Sequence, residues 1–163
     1  MRAARGIPDS AHRALLEEFI DRYEGAVELT QVYPGVRSAL AALTEAGHPL
    51  AICTNKPEAP ARSVLAHFGL LDRFAAVVGG DSLPVRKPSP GHLLGVLAMM
   101  NAGPERAAMI GDSPADVATA LNAGVPVIAV AYGYRRVPAN DLGADVLIEN
   151  FSDISAALTR LGL

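Results

Sequence analysis

Between residues 10 and 29, Leu15, Leu16, Phe19, Ile20, Tyr23 and Val27 recur at three- and four-residue steps. Glu17, Glu18, Asp21, Arg22 and Glu24 fall mostly between them. That is the period of an amphipathic helix. Tyr33-Pro34-Gly35 interrupts it, and an alanine- and leucine-rich stretch then predicts a second helix over 36–45, ended at Ala46-Gly47 by a glycine in the usual C-terminal place. Beyond Gly47 short apolar runs alternate with helical ones. The runs at 49–53, 74–78, 107–110, 125–129 and 144–148 read as strands, and 57–68, 90–100, 114–123 and 152–161 read as helices. Strands that are apolar on both faces and separated by helices of ten or so residues predict an α/β fold, a doubly wound parallel sheet covered by helices on both sides. In such sheets ligands bind where strands turn into helices at their carboxyl ends.

Composition narrows the class. With 163 residues and half of them hydrophobic, the chain is one ordinary domain. Its apolar runs fall far short of the ~20 residues a membrane span needs. The basic start, Met1-Arg2-Ala3-Ala4-Arg5, runs into Gly6-Ile7-Pro8-Asp9 where a signal peptide would have its apolar core, so a cytoplasmic location is expected. The single Cys53 excludes an internal disulfide. A net charge of −3 with no tryptophan argues against a nucleic-acid partner. The four histidines share no ligand spacing, and each is expected at a helix surface or in a loop. Of fourteen basic residues only Lys56 and Lys87 are lysines, each followed by proline in a predicted loop.

Three strand-end turns carry unusual polar residues: Thr54-Asn55-Lys56-Pro57, Lys87-Pro88-Ser89-Pro90 and Gly111-Asp112-Ser113-Pro114-Ala115-Asp116. Each has a structural explanation of its own. Ser113 and Asp116 form a capping box with Pro114 at the first helical position, and Thr54 or Asn55 could cap the next helix. Capping does not explain Lys87, nor why a hydroxyl, a lysine and two acids occupy successive strand ends. As a set they suit phosphate chemistry. Helix-start amides and a hydroxyl donate to phosphoryl oxygens, and an ammonium in a cleft offsets their charge. Two carboxylates without basic partners suit a hard cation such as Mg²⁺ that keeps its waters.

In order, these turns resemble the second, third and fourth motifs of haloacid-dehalogenase-like (HAD) hydrolases, nearest to their phosphoglycolate phosphatase subgroup. Tyr33-Pro34-Gly35-Val36, Phe68-Gly69-Leu70, Tyr132-Gly133-Tyr134 and Gly143-Ala144-Asp145 add to the resemblance, which runs from about Asp9 to the C-terminus. It implies a Mg²⁺-dependent phosphomonoesterase acting on a small phosphorylated metabolite. Thr54 would hold the phosphoryl group, Asn55 would shape its loop, and Lys87 would neutralise charge beside it. Asp112 and Asp116 would serve the metal, Asp116 as the second acidic partner. Residues 1–32 would be a loose N-terminus and the last helix of a helical cap, and 33–163 the HAD-like core.

The chain departs from that pattern at its first motif, an apolar strand ending in Asp-x-Asp that supplies the nucleophile. None of its nine aspartates is two residues from another. The expected fold is therefore the HAD-like sheet lacking its first, central strand, with the nucleophile upstream of this chain and the chain alone inactive. The alternatives are another HAD phosphatase or a phosphosugar mutase, or a non-catalytic module whose open sheet edges recruit a partner. A homo-oligomer is compatible with either.

Overall fold

The computed structural model describes residues 30–133 and 137–163. The helix expected over 10–29, with the cap remnant it would represent, lies outside the described residues, as do His12 and the Tyr134-Arg135-Arg136 stretch. The chain divides at Gln31/Val32 into two units, and the second holds every helix and strand described, from Val36 to Arg160.

Among the described residues five α-helices and five strands follow the order that the apolar pattern predicts, alternating except that β5 follows β4 with no α-helix between them. They are α1 (Val36–Glu45), β1 (Ala51–Cys53), α2 (Glu58–His67), β2 (Ala76–Val78), α3 (Pro90–Met99), β3 (Met109–Gly111), α4 (Pro114–Ala123), β4 (Val127–Val130), β5 (Val146–Ile148) and α5 (Ile154–Arg160). All strand pairs are parallel, and among the described residues they form two sheets. β1 pairs with β2, while β3, β4 and β5 form a second sheet in that order. The expected sheet is thus present in two parts, and among the described residues β1 is laddered to β2 and β3 to β4 on one side each.

β4 shows why the sheet needs cover on both faces. Its four residues are all buried, and alternate side chains point to opposite sides. Val127 and Ala129 pack with Leu93 and Leu97 of α3 and Val117 and Ala120 of α4. Ile128 and Val130 pack with Ala39 and Leu43 of α1 and Ile154, Ala157 and Leu158 of α5. These two clusters hold β3, β4 and the start of α4 as a rigid block. Among the described residues no helix is long and apolar enough to cross a membrane.

Because Ile128 and Ile154 are wholly buried in the same cluster, Ile128→Ala is expected to lower unfolding stability by about 2–5 kcal/mol. Urea denaturation followed by circular dichroism measures it; a loss within ~0.5 kcal/mol would contradict this packing.

Candidate active site

The carboxyl ends of β1 and β3 meet at Lys87. The loop after β2 carries this lysine back across the sheet, where its Nζ donates to the Cys53 carbonyl at 2.8 Å and to Asp116 Oδ1 at 2.6 Å. Both side chains are withdrawn from solvent, Lys87 to 11% exposure and Asp116 to 6%. The loop is held from behind. Asn55 Nδ2 donates to the Lys87 carbonyl at 3.0 Å, Gly79 N donates to Ser82 Oγ, and Ser82 Oγ donates to Glu58 Oε2. Ser82 and Arg62 together hold the Glu58 carboxyl below its usual range.

Asp116 divides its work between its two oxygens. Oδ2 accepts from the amides of Asp112 and Ser113 and from Ser113 Oγ, while the Asp116 amide donates to Ser113 Oγ. The expected capping box is therefore formed at the start of α4. Oδ1 is left facing Lys87. Burial alone would raise this carboxyl, but the Lys87 ammonium and the Ser113 hydrogen bonds outweigh it and hold the group below the usual carboxylate range. The close approach of α4 to β3 requires Gly111, where a Cβ would lie 2.4 Å from Asp116 Cβ.

Thr54 extends the parallel pairing by donating its amide to the Val78 carbonyl at 3.0 Å, and its Oγ1 accepts from the Lys56 amide at 3.1 Å. Neither Thr54 nor Asn55 caps α2, whose N-cap position is Pro57 with no side-chain cap. The helix-capping explanation for these two residues therefore does not apply. Asp112 follows β3 directly and borders a cavity of about 340 Å³. No group of three or more His, Cys, Asp or Glu side chains gathers among the described residues. A pair of carboxylates is a poor zinc or calcium site but fits Mg²⁺, which binds through one or two carboxylates and takes its other ligands from water and phosphate. Both Asp116 oxygens are engaged, Oδ1 with Lys87 and Oδ2 with the Ser113 turn, so the acid pair has a basic partner after all.

The site also contains a residue that the linear pattern misplaced. His92, expected on a helix surface or in a loop, is completely buried on α3. Its Nε2 lies 3.0 Å from the Gly79 carbonyl, which can only accept, so Nε2 carries the proton. Nδ1 then faces Cys53 Sγ at 3.7 Å. Burial pushes the Cys53 thiol up, with Asp116 adding to the rise and Lys87 opposing it, so the thiol stays protonated. It is a partner for His92 and not a nucleophile. The signal was present in the sequence. His92 and Leu93 lie four residues before Val96 and Leu97, and these four are the buried face of α3. His48 and His67 are exposed, as expected.

Burial, with Lys87 nearby, holds the His92 imidazole below its usual 6.5, against the Gly79 hydrogen bond. The unfolded chain takes up this proton first, so the contribution to stability is complete above pH 6.5 and declines as pH falls below it. Urea midpoints between pH 7.5 and 5.5 should fall with pH in the native chain and fall less in His92→Leu. Equal slopes would exclude a neutral, buried imidazole.

A family model described as haloacid dehalogenase-like hydrolase matches residues 1–124. The phosphoglycolate phosphatase of Rhodospirillum rubrum is 44% identical over 147 residues, covering 90% of this chain and 61% of its own length. The chain thus spans about three-fifths of that relative. The crystal structure of a predicted phosphoglycolate phosphatase from Haemophilus somnus superposes with a TM-score of 0.88 at 28% identity, covering 96% of this chain and 71% of that one. CbbY from Rhodobacter sphaeroides in complex with phosphate gives 0.75 at 26% identity, covering 91% and 67%. With strand-end motifs, parallel topology and family match in agreement, the chain belongs to the haloacid dehalogenase-like hydrolases.

Proposed function

We propose that this chain supplies the phosphate- and cation-binding half of a Mg²⁺-dependent phosphomonoesterase of the phosphoglycolate phosphatase type, acting on small phosphorylated metabolites in the cytoplasm. The observation that carries the reading is Lys87, held at 2.8 Å from Cys53 O and 2.6 Å from Asp116 Oδ1 at the end of the sheet. An ammonium has three N–H donors. The third is available to an anionic oxygen, in a site where a charge contact at 4 Å contributes ~4 kcal/mol at an effective dielectric near 20.

In this reading the Thr54 hydroxyl donates to a phosphoryl oxygen, and Asn55 keeps the Lys87 loop in register through the Lys87 carbonyl. Lys87 offsets the charge that builds up as the ester bond breaks. Asp116 orients Lys87 and the Ser113 turn, and Asp112 is the carboxylate that holds Mg²⁺. The metal, when bound, withdraws charge from the phosphoryl oxygens. The attacking carboxylate and the general acid are assigned to residues outside this chain. The likenesses to phosphoglycolate phosphatases and to a structure holding phosphate support the substrate class.

In the full-length protein, Lys87→Ala should lower phosphate release from phosphoglycolate about 10²–10³-fold, the usual loss for one preorganised charge stabiliser. Removing Mg²⁺ with a chelator should abolish it. Unchanged activity in the variant would overturn the assignment of Lys87. Isomerised sugar phosphate without free phosphate would transfer the same site to a mutase.

A further inference from the structure

Gly133 lies beyond β4, outside the strand-end turns discussed above and beyond the residues matched by the family model. Its φ is +121°, a conformation that L side chains rarely adopt. A Cβ built there would fall 2.1 Å from Asp112 Oδ2, 2.7 Å from its Cγ and 2.8 Å from its Cβ. The Cα of Gly133 therefore lies hard against the Asp112 carboxylate. The turn that carries it is anchored one residue earlier, where the Tyr132 ring packs on Tyr33 with centroids 4.6 Å apart and planes tilted by 47°. Tyr33, Tyr132, Asp112 and Gly133 border the same cavity, with Val36 and Phe151 on its apolar side.

A carboxylate on a short side chain has few rotamers, and a wall on one side removes those that sweep through it. We infer that Gly133 is a positioning residue for the cation site: the bare Cα of the turn after β4 holds the Asp112 carboxylate in the orientation that receives the metal. This rests on the reading of Asp112 as the metal-holding carboxylate. Gly111 stands in the same relation to Asp116, since its missing side chain admits that residue to the end of β3. Asp112 and Asp116 are thus each set by a glycine on a different strand end. A side chain at 133 would expel the Asp112 carboxylate by direct overlap.

Two measurements on the full-length protein test this. Mn²⁺ binding, followed by the loss of free-ion signal in electron paramagnetic resonance, should weaken about 10- to 100-fold in Gly133→Ala, the range seen when a supporting partner of a metal ligand is changed. The control is Gly124→Ala, which also alters a positive-φ glycine (+67°) but places its Cβ in open space; it should bind Mn²⁺ as the native protein does. Second, the urea midpoint lost in Gly133→Ala should be partly recovered in Gly133→Ala/Asp112→Gly, because removing the carboxylate removes the overlap. If native protein binds Mn²⁺ and Gly133→Ala binds it equally well, or if the two substitutions are additive in stability, the inference is overturned while the role of Asp112 stands. If the native protein binds no Mn²⁺, the metal reading of Asp112 falls and takes this inference with it. Should Gly133→Ala fail to fold, folding of the double variant supports the overlap and failure of both counts against it.

Discussion

The contact between Lys87 and Asp116 is what makes a site of this sheet. A buried carboxylate and a buried ammonium each bear a large desolvation cost, and neither is tolerable alone; removing one partner of such a pair typically costs ~3–5 kcal/mol. Here the pair is also the link between two sets of strands. Cys53 O belongs to the end of β1, and Asp116 belongs to the helix that follows β3. The lysine thus ties the carboxyl end of one sheet to that of the other through a single charged atom. Asp116 then transmits the order onward through its second oxygen, which collects the amides of Asp112 and Ser113.

What lies behind the site explains how so few polar groups can be held so closely. β4 is buried on both faces, and the helix pairs α3–α4 and α1–α5 close over it from opposite sides. The turns at the carboxyl ends are therefore mounted on close-packed material that does not yield easily. His92 extends this support to the β1–β2 sheet. Its protonated nitrogen satisfies the Gly79 carbonyl at the end of β2, and its other nitrogen meets the Cys53 thiol at the end of β1. Each of these groups would be costly to bury unpaired, and together they place the Cys53 carbonyl where Lys87 finds it.

Helix limits were the most legible part of the chain. The stretches 36–45 and 114–123 begin and end where periodicity, proline and glycine place them, because those signals are local. The strands were found in number and order, but each came out shorter than its apolar run. The residues preceding Ala51–Cys53 and Met109–Gly111, such as Leu50 and Ala108, are apolar for packing, whereas a strand begins where its neighbour's ladder begins. Asp116 shows the limit of weighing single residues. Capping and a role in the site stand as alternatives in the linear pattern, and the carboxylate caps α4 with one oxygen while the other pairs with Lys87, a partner the pattern does not reveal.

The amino-acid sequence by itself determined the α/β class, the order of its elements, and the three strand ends on which Thr54, Lys87 and the Asp112/Asp116 pair would be found. All of this follows from periodicities and turn chemistry acting over a few residues. Only the tertiary structure decided that Lys87 points at Asp116, that His92 is buried between Gly79 and Cys53, and that Gly133 lies against Asp112. These pairs are separated by 29, 13, 39 and 21 positions along the chain. Their contact depends on how the helices pack around β4, and no local rule of the chain encodes a distance of that kind.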